Sequence, residues 1–308
     1  MEKKIKTILI LGGYGFIATN IIKFIETNNL PFKVIVFDHF ESHPHGITSP
    51  VVIKNYAGDF SNNKLIERIF QENKFDIIIH ALSTTVASNA DNPSYDIESN
   101  VLPSLYVLDM MVKYKVKDIV FISSGGAIYG KQKDFPHKET DVVSPISPYG
   151  VGKSTIEKYM MLYSSLYDIK PLILRLSNPY GFYHYSTKQG IINVALKCAK
   201  DRLTFNVFGN GNGRKDYIWI DDFVDIMFIL LKKQISNTII NIASGELLSV
   251  NEVIAKIKGY YPEFNWQNMP SLSLDVQDFQ LDISYLKSII GNYTFTPFEI
   301  GLQKLINE

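Results

Sequence analysis

This sequence predicts an α/β protein, a doubly wound parallel sheet followed by a smaller C-terminal α/β lobe. Three observations carry that reading. Short apolar segments alternate with helical stretches through residue 177, and a glycine-rich turn follows the first of them at once. After residue 178 the alternation loosens, and Gly, Asn, Tyr and Phe become frequent. Apolar strands separated by helices imply parallel pairing with both sheet faces covered. The length, 308 residues, suits one or two domains with a sizeable core.

The elements follow in order. Ile8–Leu11 is an apolar strand, and a helix is expected from the glycine turn to Phe24. Val34–Phe37 forms a second strand ending at Asp38, and the segment 51–59 a third, with a helix through Phe70 after it. Asp76–His80 reads as a buried strand, the stretch to Lys115 as a long helical region, and Asp118–Ser124 as the next strand. A helix starting at Tyr149 leads into the strand Pro171–Ser177. Further helices are expected near Ile192–Asp201, Asp221–Lys233 and Val250–Lys258. The chain divides into 1–177, a dinucleotide-binding domain, and 178–308, a substrate lobe interleaved with the first and returning segments to its sheet.

Composition excludes several classes of function. Lys plus Arg and Asp plus Glu each number 31, and zero net charge argues against capture of nucleic acid or an anionic membrane. The single cysteine, Cys198, leaves no internal disulfide and no Cys-based zinc site. His43, His45, His137 and His184 are scattered in polar loops and read as surface residues, so no metal is expected. The basic start runs into a glycine loop too soon for a signal peptide. No apolar run approaches the roughly 18 residues of a membrane span, and a cytoplasmic protein is expected.

Leu11-Gly12-Gly13-Tyr14-Gly15-Phe16-Ile17-Ala18 follows the first strand and opens a helix. Glycines there let the backbone turn tightly and approach a pyrophosphate, whose charge suits a helix N-terminus. Asp38 ends the second strand about twenty residues on, where a carboxylate accepts hydrogen bonds from a ribose 2′-hydroxyl and repels a 2′-phosphate. The expected cofactor is NAD rather than NADP. Tyr149 and Lys153, four residues apart, share one face of the helix that starts at Ser147-Pro148. A nearby ammonium favours phenolate, so Lys153 is expected to lower the pKa of Tyr149 and permit proton exchange with a substrate hydroxyl.

On these motifs the chain resembles the extended short-chain dehydrogenase/reductases, the NAD-dependent epimerase/dehydratase group with its Rossmann-like fold, and in particular the nucleotide-sugar 4-epimerases. The likeness covers nearly the whole sequence. It implies cofactor contacts at Gly12, Gly15, Phe16, Ile17, Asp38, Asp59, Phe60, Ala81, Leu82, Ser83, Asn100, Tyr149 and Lys153. Ala18 stands where the family usually has glycine. Ser123-Ser124-Gly125-Gly126-Ala127-Ile128-Tyr129-Gly130 resembles the strand end carrying the catalytic hydroxyl, but the usual Ser/Thr position is Gly125. The role then passes to Ser124, with Ser123 second. The family's 4,6-dehydratases carry an acid pair in this loop; here it is Gly125, Gly126 and Ala127, which argues against dehydration.

Substrate contacts are implied at Ser124, Tyr149, Asn178, Ile191, Ile192, Arg214 and Lys215. Lys215 falls where the family has a phosphate-binding Arg, with Arg214 just before it, and Leu272–Val276 lacks a second Arg. Asp221 and Asp222 read as a helix N-cap. The resemblance implies a nucleotide-diphosphate sugar as substrate and a homodimer paired through the apolar helices at Val101–Tyr114 and Ile156–Tyr167. Three activities remain open: C4 epimerisation through a transient 4-keto sugar with Tyr149 as acid and base, reduction of a 4-keto sugar by the same residues, and non-catalytic NAD binding. The intact Tyr149–Lys153 pair argues against the last.

Overall fold

The computed structural model describes residues 5–85, 92–131, 136–186, 189–271 and 278–307. The order is β1 (Lys6–Leu11), α1 (Phe16–Thr27), β2 (Phe32–Asp38), β3 (Val52–Ala57), α2 (Asn63–Glu72), β4 (Ile77–His80), a short α3 (Pro93–Asp96), a π-helical turn (Ile97–Val101), α4 (Leu102–Tyr114), β5 (Asp118–Ser124), a short α5 (Gly125–Ile128) and α6 (Pro148–Tyr167). Then come β6 (Lys170–Leu176), β7 (Asn178–Tyr180), α7 (Ile191–Lys200), β8 (Phe205–Phe208), β9 (Arg214–Trp219), α8 (Ile220–Lys232), β10 (Thr238–Ile242), β11 (Leu247–Ser249), α9 (Val250–Tyr260), β12 (Trp266–Met269), α10 (Ser284–Ile290) and α11 (Phe298–Ile306).

Seven strands form one Rossmann-like sheet in the order β10-β6-β5-β4-β1-β2-β3, and each neighbouring pair is parallel. Ile8, Ile10, Ile78 and Ile79 are fully buried. That is why these strands read as unbroken apolar runs: helices cover both faces. One apolar cluster joins α1 and α8 to one face, and another joins α2, α4 and α6 to the other. From β1 the chain first builds outward to β3, then restarts at β4 on the other side. The crevice between the carboxyl ends of β1 and β4 is therefore the switch point where such sheets bind ligands.

The sequence after 178 does not stay in one lobe. α8 packs on α1, with Phe24 and Phe228 stacked 5.3 Å apart, and β10 pairs with β6 along Thr238–Ile242. The remaining segments build a three-stranded sheet, β11-β9-β7, and a β12-β8 pair around a third apolar cluster that includes Tyr180, Trp219 and Phe298. Asp221 and Asp222 do not cap α8. Trp219 occupies the cap position and makes no side-chain cap bond. The Asp221 carboxylate accepts from the Trp219 indole at 2.9 Å, and buried Asp222 accepts from Thr296 N at 2.7 Å. The two carboxylates sit in the first turn of the helix, where the macrodipole favours them.

Candidate active site

The turn between β1 and α1 is built to bring backbone close to a ligand. Gly12 has φ +77°, and a Cβ there would lie 2.8 Å from Leu82 Cα. Its N–H donates to Phe37 O at 2.8 Å. The first intrahelical bond of α1 is Thr19 N to Gly15 O, so the amides of Phe16, Ile17 and Ala18 have no acceptor within the helix. Gly15 offers no side-chain cap, and the first turn holds no acidic residue. These residues line the cleft, and such a helix start attracts an anion. At the end of β2, Asp38 Oδ2 accepts from Tyr14 N at 2.9 Å and Oδ1 from His39 N at 2.7 Å. Both bonds hold the carboxylate at the carboxyl end of β2 and leave lone pairs for a ribose hydroxyl. This cradle fits a dinucleotide.

The other residues expected at the cofactor divide into two groups. Ala81 and Ser83 line the cleft. Leu82 packs beneath Gly12, and buried Phe60 lies 5.9 Å from Phe37, ring to ring. Asp59 is exposed, and its carboxyl is held below the usual range by the Ser61 hydroxyl and amide. Asn100 is buried, with Oδ1 accepting from Thr84 N at 2.9 Å; it braces the segment after β4 from behind.

The residues expected to be catalytic line the same cleft, about 1380 Å³ in volume. Ser147 caps α6 by accepting from Gly150 N at 3.2 Å, which fixes the start of the helix and hence the face carrying Tyr149 and Lys153. Lys153 Nζ donates to Ile122 O at 2.8 Å and lies 5.7 Å from the Tyr149 ring centre. Burial pulls the Lys153 pKa down to about 8. The expected lowering at Tyr149 is not what the structure has: its hydroxyl is pushed up to about 12, chiefly by burial. A hydrogen bond from Ser124 opposes that rise and the Asp96 charge adds to it. With the ammonium turned toward a strand carbonyl, desolvation outweighs it.

The two serines part company. Ser124 reaches the Tyr149 oxygen, whereas Ser123 Oγ donates to Glu157 Oε1 at 2.5 Å. Neighbours on a strand point to opposite faces. Gly125 lacks a side chain because a Cβ would come 2.7 Å from Leu281 Cδ1. Behind Ser123 lies a buried network that was not expected. Arg175 grips Glu157 at 2.8 and 3.2 Å and donates to Tyr129 at 2.8 Å, and Tyr129 donates to Asn241 of β10 at 2.9 Å. Two signals for it stood in the sequence: a lone Arg within the apolar strand around 171–177, and a Glu one turn beyond Lys153 on the same helical face.

On the substrate side, Asn178, Ile191, Ile192 and Lys215 line the cleft. Asn178 Nδ2 also donates to Asp216 O at 2.9 Å. Arg214, by contrast, is half exposed and stands 3.8 Å from Asp278, because alternation along β9 turns it away from Lys215. Leu272–Val276 lies outside the described residues. The histidines are not all surface residues: His43 and His137 are buried. His43 bonds Thr19 Oγ1 at 3.1 Å, His137 stacks on Tyr129 with ring centres 4.8 Å apart, and half-buried His184 packs on Phe16 at 4.5 Å. Aromatic neighbours cover them, which loop polarity in the sequence does not reveal. Among the described residues no cluster could hold a metal ion, and no helix is long and apolar enough to cross a membrane.

The profile of the NAD dependent epimerase/dehydratase family matches residues 8–243. A putative UDP-glucose 4-epimerase of Methanocaldococcus jannaschii is 35% identical over 82% of this chain and 81% of its own length. A dTDP-4-dehydro-6-deoxyglucose reductase of Escherichia coli is 27% identical over 84% of this chain and 83% of its own. The crystal structure of Thermotoga maritima UDP-glucose 4-epimerase with UDP-glucose has a TM-score of 0.88 at 27% identity, covering 98% of this chain and 97% of that one. The cradle, the cleft and these likenesses agree: this chain belongs to the NAD-dependent epimerase/dehydratase family of enzymes, and its cofactor is NAD.

Proposed function

We propose that this chain is a nucleotide-sugar 4-epimerase, with Tyr149 as its acid and base. The observation that carries the reading is the convergence of Ser124, Tyr149 and Lys153 at the floor of a cleft whose wall is the uncapped start of α1. NAD, when bound there, supplies a hydride acceptor and donor and a positive charge beside the phenol. The residues of this chain do the rest. Tyr149 exchanges a proton with the sugar 4-hydroxyl. Ser124 hydrogen-bonds both oxygens and keeps them in line, and Lys153 anchors the nicotinamide ribose while keeping positive charge near Tyr149. The 125–127 loop brings no carboxylate to the sugar, which disfavours dehydration.

Reduction of a 4-keto sugar uses the same three side chains, and the Escherichia coli reductase among the relatives keeps that reading alive. Cofactor accounting separates the two. An epimerase interconverts two sugars with no net change in nicotinamide absorbance, whereas a reductase consumes NADH in proportion to product. Stoichiometric NADH consumption without epimerisation of any UDP-, dTDP-, CDP- or GDP-sugar would overturn the epimerase reading.

The diphosphate grip rests on Lys215. Lys acts as a point charge where Arg makes a bidentate pair, so binding leans on Asn178, the Ile191–Ile192 backbone and packing of the base. Lys215→Ala is expected to raise KM about tenfold (~1.4 kcal/mol), and Arg214→Ala to leave it within twofold. The reverse pattern would mean that the strand presents its other face to the diphosphate.

The same reading makes the protein a homodimer. Leu102, Tyr159, Leu162, Leu166 and Tyr167 are exposed on α4 and α6, an apolar surface that a two-fold partner would cover. Light scattering should give twice the 35.0 kDa chain mass at micromolar concentration; a monomer would refute it.

A further inference from the structure

Asp96 closes the short helix α3, where regular winding gives way to the π-helical turn 97–101. Such turns widen a helix locally and often occur at functional sites. The residue is 2% exposed. Its Oδ1 accepts from Thr85 Oγ1 and, at 3.1 Å, from Asn100 Nδ2. Its Oδ2 has no hydrogen-bond partner among the described residues. That oxygen is pressed against α6: a Cβ added at Gly152 would lie 1.8 Å from it. Gly152 stands between Tyr149 and Lys153, so a buried carboxylate oxygen abuts the helix backbone between the two members of the catalytic pair.

The charges around it make this placement consequential. Lys153 follows Gly152 on α6, and its Nζ donates to Ile122 O. Glu157, the other carboxylate near Lys153, is bound at 2.8 Å by Arg175, which balances its charge. His80, under Lys153, has its pKa pulled down to about 3, chiefly by burial, and is neutral; its Nε2 bonds Ser104 at 2.8 Å. Asp96 is then the one carboxylate facing the pair without a bound cation among the described residues. A desolvated carboxylate oxygen without a donor destabilises the fold unless something compensates. The buried ammonium of Lys153, the residue after Gly152, offsets that cost.

We propose that Asp96 is a positioning residue of the reaction: its carboxylate keeps Lys153 an ammonium beside Tyr149 and thereby sets the pH window in which the pair exchanges protons. The inference rests on the reading of Tyr149 as acid and base. Its sign follows from electrostatics. A fixed negative charge opposes loss of a proton from Lys153 and from Tyr149 alike, and at both groups Asp96 acts in the raising direction. The reacting form needs Tyr149 without its proton and Lys153 with one, so the two limbs of the rate profile report the two groups as a pair. Removing the charge slides both limbs to lower pH together. Loss of packing alone would lower the profile and leave its limbs in place.

The test uses NAD-loaded protein and Asp96→Asn. The ultraviolet absorbance of ionised Tyr149, taken as the difference from the matching Tyr149→Phe protein, is titrated in the presence and absence of the substitution. The pH profile of kcat/KM is measured beside it with UDP-galactose as probe. We expect the Tyr149 titration and both limbs to move down by about one pH unit, the scale of a charge a few ångström away in a protein interior. A Tyr149 titration that stays where it is in wild type overturns the proposal, whether or not the rate falls. If Asp96→Asn does not fold, Asp96→Ser removes the same charge and is read by the same titration. Should Tyr149→Phe keep the wild-type rate, the acid/base reading fails on its own, while the titration still decides what Asp96 does.

Discussion

Tyr149→Phe should lower kcat by about 10²–10⁴-fold, the usual contribution of a positioned acid or base, and leave NAD content and melting temperature nearly unchanged. The ring stays and only the hydroxyl goes. That hydroxyl is half of the Ser124–Tyr149 contact. The phenol is pushed up to about 12 by burial, so its proton leaves only when positive charge gathers around it. Lys153 provides one such charge while it keeps its proton, which burial makes easier to lose by bringing its pKa down to about 8. A Phe variant retaining more than roughly a tenth of the wild-type rate would show that another group moves the proton.

Glu157→Ala should be the most destabilising change in the half of the chain that carries Tyr149 and Lys153. Glu157 and Arg175 are each 3% exposed, and the pair joins α6 to β6 while also holding Ser123. Removing the carboxylate leaves a guanidinium buried among Tyr129, Asn241 and the sheet, a loss of about 3–5 kcal/mol for a broken buried pair. Denaturant unfolding measures it directly. Glu157→Gln keeps some of the hydrogen bonds and should cost less than the alanine variant. A loss under about 1 kcal/mol for Glu157→Ala would mean that water reaches Arg175 and that the site is not sealed.

Much of this protein is legible in its sequence because the relevant signals are local. The strands at 8–11, 34–37, 76–80 and 118–124 announce themselves as apolar runs, since a parallel sheet covered on both faces needs nothing polar there. The Gly12–Gly15 turn, Asp38 at the end of its strand and the Tyr149–Lys153 spacing each depend on a few neighbouring residues and the period of one element. The helix around 93–114 is broken by a π-helical turn, which its composition does not announce.

Tertiary structure alone decided the matters that turn on which way a side chain faces and what meets it there. Ser124 rather than Ser123 reaches Tyr149 because Glu157, distant in sequence, takes Ser123. Lys215 rather than Arg214 meets the cleft because β9 pairs with β7 and β11 in one register. That β10 is the segment returning to the first sheet, that His43 and His137 are buried, and that Asp96 lies against Gly152 each follow from contacts between segments far apart in the chain. The physical reason is the range of the forces involved. Backbone conformation and apolar periodicity are set within a turn or two of chain, whereas desolvation and pairing of charge depend on whatever the folded chain brings within a few ångström.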